Sequence, residues 1–321
     1  MGKDYDLRYF AELKSKKIDW LWYPYIPFGK ITIIEGDPGE GKTTVVLNFI
    51  SSLSTGKSLP FSNSSVQIKS IYQNAEDDNE DTIKPRLEKQ GADCENVCFI
   101  SKNDGFIYID DDSIEKAIIE SGAKVIVLDP IQAYIGDNID MNRANIVRPK
   151  MTKLKEVAER TGCAIILVGH LNKSSGSKAS YRSLGSIDFF AAARSILLVA
   201  KINGSDNIKA LAQLKNNLAP IGKTLSFRIT NGVVEWLSEC DITADELLSG
   251  SANVESKEYA AEVLLNEILE NGKQPVNVIL DIASSQGIGK RTLKSAKSML
   301  PIHSVKVNNC WYWELEKQSG E

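Results

Sequence analysis

Gly36, Asp37, Pro38, Gly39, Glu40, Gly41, Lys42, Thr43 and Thr44 follow an apolar run at residues 31–34 and precede a helical pattern at residues 45–54. Gly-x-x-x-x-Gly-Lys-Thr between a strand and a helix has the spacing of a phosphate-binding loop. The glycines let successive backbone N–H groups turn onto a polyphosphate, and the helix N-terminus adds its positive end. Lys42 is expected to reach the β- and γ-phosphates of ATP, and the Thr43 hydroxyl to hold Mg²⁺.

Binding a nucleotide differs from hydrolysing it, so a metal carboxylate and a base are needed. Residues 124–128 are a near-continuous β-branched and apolar run, as in a buried parallel strand, and Asp129 ends it. Asp129 reads as the carboxylate that shares Mg²⁺ with Thr43, or else as a helix N-cap before Pro130. With Pro130 next, no adjacent glutamate can polarise water, and the base must come from another strand. Glu76 is the first acid after the strand pattern at residues 66–73 and takes that role, with Asp77 as the fallback. Otherwise Asp77 and Asp78 are solvated or cap the helix starting at Asn79. His170 ends the apolar run 163–169 and reads as a γ-phosphate sensor, or as a capped polar residue.

Two stretches carry cations for a polyanion. Residues 171–185 contain Lys173, Lys178 and Arg182 with one tyrosine and no acid. This loop either tracks the backbone of single-stranded DNA or is a plain connection. Between Asp281 and Glu314 there is again no acid, while Lys290, Arg291, Lys294, Lys297 and Lys306 fall there. That is a nucleic-acid footprint, or else a solvated basic face or a protein-docking module.

These residues need a frame. Strand patterns alternating with helical ones through residue 169 predict a mostly parallel sheet with helices on both faces. Residues 195–201, 208–214, 224–228 and 233–237 are short strands without intervening helices, which predicts an antiparallel edge. Residues 20–27, rich in tryptophan, tyrosine and proline, are expected to pack as a rigid lead-in to the first core strand. Helical patterns at 257–270, 275–285 and 290–300, followed by a ribbon over 302–315, outline a winged helix-turn-helix. The expected organisation is an α/β ATPase domain over 1–237, an acidic linker over 238–255 and the winged helix-turn-helix over 256–321.

Composition narrows the class. The 321 residues are 42% hydrophobic and 25% charged, ordinary values for a chain that buries a core. No apolar stretch is long enough to cross a bilayer and no basic-led apolar leader opens the chain, so a soluble, cytoplasmic protein without membrane contact is expected. Five scattered cysteines and two histidines lack zinc-site spacing and read as reduced thiols. A net charge of −4 excludes a protein that coats nucleic acid over its whole surface, so any DNA contact is local.

With the phosphate loop, Glu76, Asp129, His170 and the antiparallel tail in this order, the chain resembles the RecA-like P-loop ATPases over roughly residues 20–237. Within them it looks similar to the RepA-type hexameric replicative DNA helicases of plasmids and mobile elements. The resemblance implies a hexameric ring of identical subunits, ATP bound between neighbours, and 5′-to-3′ movement on single-stranded DNA alongside replication proteins. It implies that Arg194, closing the segment 185–194, acts in trans as an arginine finger. It also implies pore loops at 134–142 and 173–182. Lys215 stands where related rings carry a Lys-x-Arg pair, with Asn217 in the arginine's place. No zinc-binding primase segment precedes the core, so priming is not expected. Gln73, Asn74 and Ser186 are candidates for assisting roles. The rival reading is an ATP-switched DNA-binding mediator of recombination or repair, or a replication regulator, without unwinding.

Overall fold

The strand and helix periods of the sequence recur in the computed structural model, which describes residues 7–102, 106–136, 143–171, 187–203, 207–250, 257–307 and 310–315. The aromatic lead-in folds as a small hairpin, β1 (Trp20–Trp22) with β2 (Ile26–Pro27), and seats Trp22 against Phe49 of the first helix. Next come β3 (Ile31–Gly36), α1 (Lys42–Thr55) and β4 (Ser70–Asn74). A π-helical turn, Asn79–Ile83, leads into α2 (Lys84–Lys89), followed by the two-residue β5 (Val97–Cys98) and α3 (Asp112–Ser121). Then β6 (Val125–Asp129), α4 (Ala144–Thr161), β7 (Ala164–His170) and the short α5 (Ile187–Ala192) complete the parallel part.

The remaining strands are β8 (Ser195–Lys201), β9 (Ile208–Asn216), β10 (Thr224–Thr230) and β11 (Val233–Cys240). All but β1 and β2 of these eleven join one sheet in the order β11-β10-β9-β8-β3-β7-β6-β4-β5. Its centre reads as continuous apolar runs because helices cover both faces: β3, β6 and all of β7 except His170 are buried. One core cluster packs α1 and β11 on one face; the other packs α3, α4 and α5 on the opposite face. The antiparallel edge is shorter than its four strand patterns suggest. β8 pairs parallel with β3 at Thr32–Ser195 to Glu35–Leu198, and only β9, β10 and β11 run antiparallel. The strand expected over 66–73 is also narrower, forming only from Ser70.

Much of the expected linker is structured. β11 continues to Cys240, and Thr243 opens α6 (Ala244–Ser249) with a capping box in which the Thr243 hydroxyl accepts from Glu246 N and Glu246 reaches back to Thr243 N. Ala244 and Leu247 pack on Leu198 and Ala212, so residues 238–250 belong to the sheet's cover. Residues 251–256 lie outside the described part.

The C-terminal unit holds α7 (Lys257–Leu269), β12 (Gln274–Pro275), α8 (Val276–Ser285), α9 (Lys290–Met299), β13 (Ile302–Val307) and β14 (Cys310–Leu315). The strands form a three-stranded antiparallel sheet, β12-β14-β13, over a core of its own around Leu265, Ile279, Leu293 and Trp313. Arg228 on β10 forms an ion pair with Glu235 on β11 at 2.5 Å and another with Glu267 on α7, tying this unit to the large sheet. Among the described residues no helix is long and apolar enough to cross a membrane.

Candidate nucleotide site

In a parallel sheet the strand ends on one edge converge. Here those ends are Gly36 of β3, Asn74 of β4, Asp129 of β6 and His170 of β7. One cavity of about 510 Å³, within the ~300–1,000 Å³ common for small-molecule sites, is lined by the phosphate loop together with Glu76, Asp129 and His170. The loop's shape needs its glycines at two points. A Cβ on Gly36 would lie 2.1 Å from the carbonyl oxygen of Val199, and Gly41 sits at φ +91° with Ile229 of β10 filling the space a side chain would take.

Lys42 is buried against the loop. Its Nζ donates to Gly36 O at 2.9 Å and Asp37 O at 2.8 Å, and lies 3.2 Å from His170 Nδ1. Burial lowers the Lys42 pKa, opposed by the charges of Asp129, Asp37, Glu40 and Glu76. His170 is likewise lowered, by burial and then by Lys42, and its Nδ1 accepts from the Lys42 ammonium when the ring is neutral and protonated on Nε2. Lys42 and His170 are thus in direct contact.

Thr43 Oγ1 donates to Asp129 Oδ2 at 2.8 Å, and the same oxygen accepts from Tyr72 OH at 2.9 Å. Asp129 is 5% exposed, and burial raises its pKa against the pull of Thr43, Tyr72 and Lys42. A hydroxyl and a carboxylate converging beside the phosphate loop are hard oxygen donors that fit Mg²⁺. Glu76 lines the cavity, exposed, with its backbone N–H on Asn74 Oδ1. Asp77 pairs with Arg86 at 2.8 Å, and Asp78 caps the next turn by accepting from Glu80 N and Asp81 N, so both acids are engaged elsewhere.

Three partners of this site have no signature in the sequence. Tyr72 steadies Asp129 from the neighbouring strand. Lys209 of β9 donates to Glu40 Oε2 at 2.8 Å and to Gly39 O at 3.3 Å, gripping the loop from the antiparallel edge. Ile229 closes the third side. Alternation on β4, β9 and β10 flags no chemistry for any of these.

Arg194 stands at the other edge. Its backbone N–H bonds Ile31 O, at the start of β3, roughly 16 Å down the strand from Gly36 at about 3.3 Å per residue. Lys215 is also there, donating to Phe190 O at 2.5 Å and Ala193 O at 2.9 Å with its ammonium 4.6 Å from the Phe190 ring centre. It caps the end of α5 rather than standing free. Gln73 bonds Ile100 through both ends of its amide. Asn74 donates to Asp77 O. Tyr134 and Ile135 of the first expected pore loop are buried in the core. Lys173, Lys178, Arg182, Ser186 and residues 137–142 lie outside the described part. Lys290 and Lys294 share a groove on the C-terminal unit, while Arg291 is exposed on the same helix but does not line it.

A phosphate loop, a strand-end acid two strands away and a strand-end histidine between them define a RecA-like P-loop ATPase core. The chain belongs to the AAA domain family, whose model matches residues 8–176. Its sequence is 26% identical over 231 residues to the DNA repair protein RadA of Bacillus subtilis, covering 70% of this chain and 44% of that protein. To the RadA of Halalkalibacterium halodurans it is 26% identical over 171 residues, covering 52% and 34%. To the RadA of Streptococcus pneumoniae it is 22% identical over 230 residues, covering 70% and 48%. The match therefore spans less than half the length of each of these relatives. Among solved structures, a KaiC-like protein of Pyrococcus horikoshii is similar with a TM-score of 0.49 and 16% identity, covering 66% of this chain and 91% of that one.

Proposed function

We propose that the protein is a Mg²⁺-dependent ATP hydrolase whose site is completed by a second copy of the chain and whose turnover moves it along single-stranded DNA, as in a replicative-type helicase. The observation that carries this is the separation of cations: among the described residues no arginine lines the phosphate cavity, while Arg194 stands on the opposite edge of the same sheet. Stacked copies would bring one chain's Arg194 edge to the next chain's phosphate loop, and a closed ring, hexameric by the resemblance, satisfies every site. The N-terminal arm supports assembly, since Leu7, Tyr9 and Phe10 are exposed, Phe10 at 92%, where a neighbour could cover them.

In this reading Lys42 leaves its two carbonyls to hold the β- and γ-phosphates. Thr43 and Asp129 hold Mg²⁺, which when bound supplies positive charge to the phosphate oxygens. Glu76 orients the attacking water and accepts its proton. The neighbour's Arg194 meets the charge that develops on the leaving phosphates. His170 senses through its contact with Lys42 and passes that state to the loop bearing Lys173, Lys178 and Arg182. The C-terminal unit, expected over 256–321, acts as a winged helix-turn-helix on DNA through Lys290, Arg291 and Lys294.

The test is strand displacement. A forked duplex should be unwound only with hydrolysable ATP, and mass measurement with ATP and single-stranded DNA should give a closed oligomer. The second reading, an ATP-switched mediator of DNA repair or recombination, is favoured by the name RadA carried by the relatives. It takes precedence if single-stranded DNA stimulates turnover and no strand is displaced.

A further inference from the structure

The C-terminal unit contains a feature that a plain recognition helix does not need. On α9, Lys290, Lys294 and Lys297 recur at the i, i+4, i+7 spacing and line one groove. The opposite wall is the face of the β13–β14 ribbon on which Ser304, Lys306, Trp311 and Trp313 lie, as the register Ser304–Trp313 and Lys306–Trp311 requires. At the closed end Trp313 is 5% exposed, with the Lys297 ammonium 4.9 Å from its ring centre and the Lys297 Nζ donating to Ser304 Oγ at 2.6 Å. At the open end Trp311 is 54% exposed, and its ring has the Lys306 ammonium 5.8 Å away. Among the described residues no carboxylate lines the groove; Glu314 lies on the ribbon's other face beside His303.

We propose that this groove is a binding site for single-stranded nucleic acid, with one unpaired base stacked on Trp311 and the adjoining phosphates on Lys290, Lys294 and Lys297. An indole face open beside a row of ammonium groups is the chemistry of single-strand grooves, in which a base supplies the π-face and the backbone supplies the charge. A duplex offers the lysines its phosphates but keeps its base faces stacked inside, so Trp311 would gain nothing from it. A purely acidic polypeptide would satisfy the lysines and likewise leave the indole bare. The inference rests on the reading of DNA as the partner and makes the C-terminal unit a tether for the strand rather than a reader of duplex sequence.

The experiment uses the full-length protein without nucleotide and measures anisotropy of a labelled oligothymidine, with a hairpin duplex of equal length and polyglutamate as competitors. Trp311→Ala should weaken oligothymidine binding about 10-fold and Trp311→Phe much less, since a phenyl ring still stacks. Lys290→Gln/Lys294→Gln/Lys297→Gln should reduce the slope of log affinity against log salt by about 2. Oligothymidine should quench tryptophan fluorescence in the wild type and less in Trp311→Phe. Melting temperatures near wild type show that the variants are folded. Unchanged affinity in folded Trp311→Ala, or competition by duplex or polyglutamate as strong as by oligothymidine, would overturn the proposal. A failure of the broader reading shows separately, as ATP turnover that single-stranded DNA leaves unaltered.

Discussion

The two edges of the central sheet are built from the same strands and do opposite things with their cations. At the edge carrying Gly36, Asp129 and His170, the charged groups converge: Lys42 is held by two carbonyls and a histidine, and Lys209 by a carboxylate. At the edge carrying Arg194 they are spread, with Lys215 spent on capping α5 and Lys30 on Glu159 at 2.9 Å. No ion pair or side-chain hydrogen bond to a described residue holds the Arg194 guanidinium. The difference teaches that the strand ends at Gly36, Asp129 and His170 gather the loop's cations, while Arg194 lies toward the other end of the same strands. Ile31, whose carbonyl accepts from the Arg194 N–H, and Gly36 lie roughly 16 Å apart along β3 at about 3.3 Å per residue. In the proposed reading a second copy supplies the juxtaposition.

The sharpest way to break this contrast is Lys42→Ala, which should abolish turnover, by about 10³-fold or more in steady-state phosphate release. Retained turnover would end the role given to the convergent edge. Arg194→Ala should cost about 10³-fold as well, yet mixing it with Glu76→Gln subunits should restore part of the rate, because some interfaces then pair an intact Glu76 with an intact Arg194. Absence of any recovery would remove the trans arginine. Asp129→Asn should lower turnover by about 10²-fold while leaving the melting temperature at or above that of the wild type. The sign follows from burial: it raises the Asp129 pKa, so the ionised carboxylate is disfavoured in the fold and a neutral amide relieves that cost. The smallest effect is expected from Lys209→Ala, which loosens the loop's outer grip. The KM for ATP should rise about fivefold, for a charge-assisted contact of about 1 kcal/mol, with kcat near that of the wild type. A fall in kcat at constant KM would place Lys209 in the reaction instead of in the loop's support.

How much of this was written in the sequence depends on how far apart the partners are along the chain. The phosphate loop, Asp129 and His170 were legible because each sits where a strand stops, and a strand's end is a local pattern. Asp78 caps the turn at Asn79, one of the two roles that its place before that helical pattern leaves open. Tyr72 on Asp129 and Lys209 on Glu40 were not legible, since those contacts depend on strand order, and nothing near Lys209 announces that β9 will rise beside the loop. The helix α6 was missed for a different reason. Thr243-x-x-Glu246 is a capping-box signature that was present, but the acidic, small-residue setting read as linker, and the apolar faces of Ala244 and Leu247 had no visible partner until Leu198 and Ala212 lay beneath them. The parallel pairing of β8 with β3 was hidden because a short strand without a following helix looks the same whichever way it pairs.

One strand of the antiparallel edge has a further bearing on how the molecule works. Ile229 leans on Gly41, and Arg228, the residue before it, grips Glu267 of α7 from the other side of the strand. The phosphate loop and the C-terminal unit are therefore linked through adjacent residues of β10, like the two arms of a crank on a common shaft. If the C-terminal unit holds a strand as proposed, a pull on it would reach the nucleotide site through this one element of the sheet.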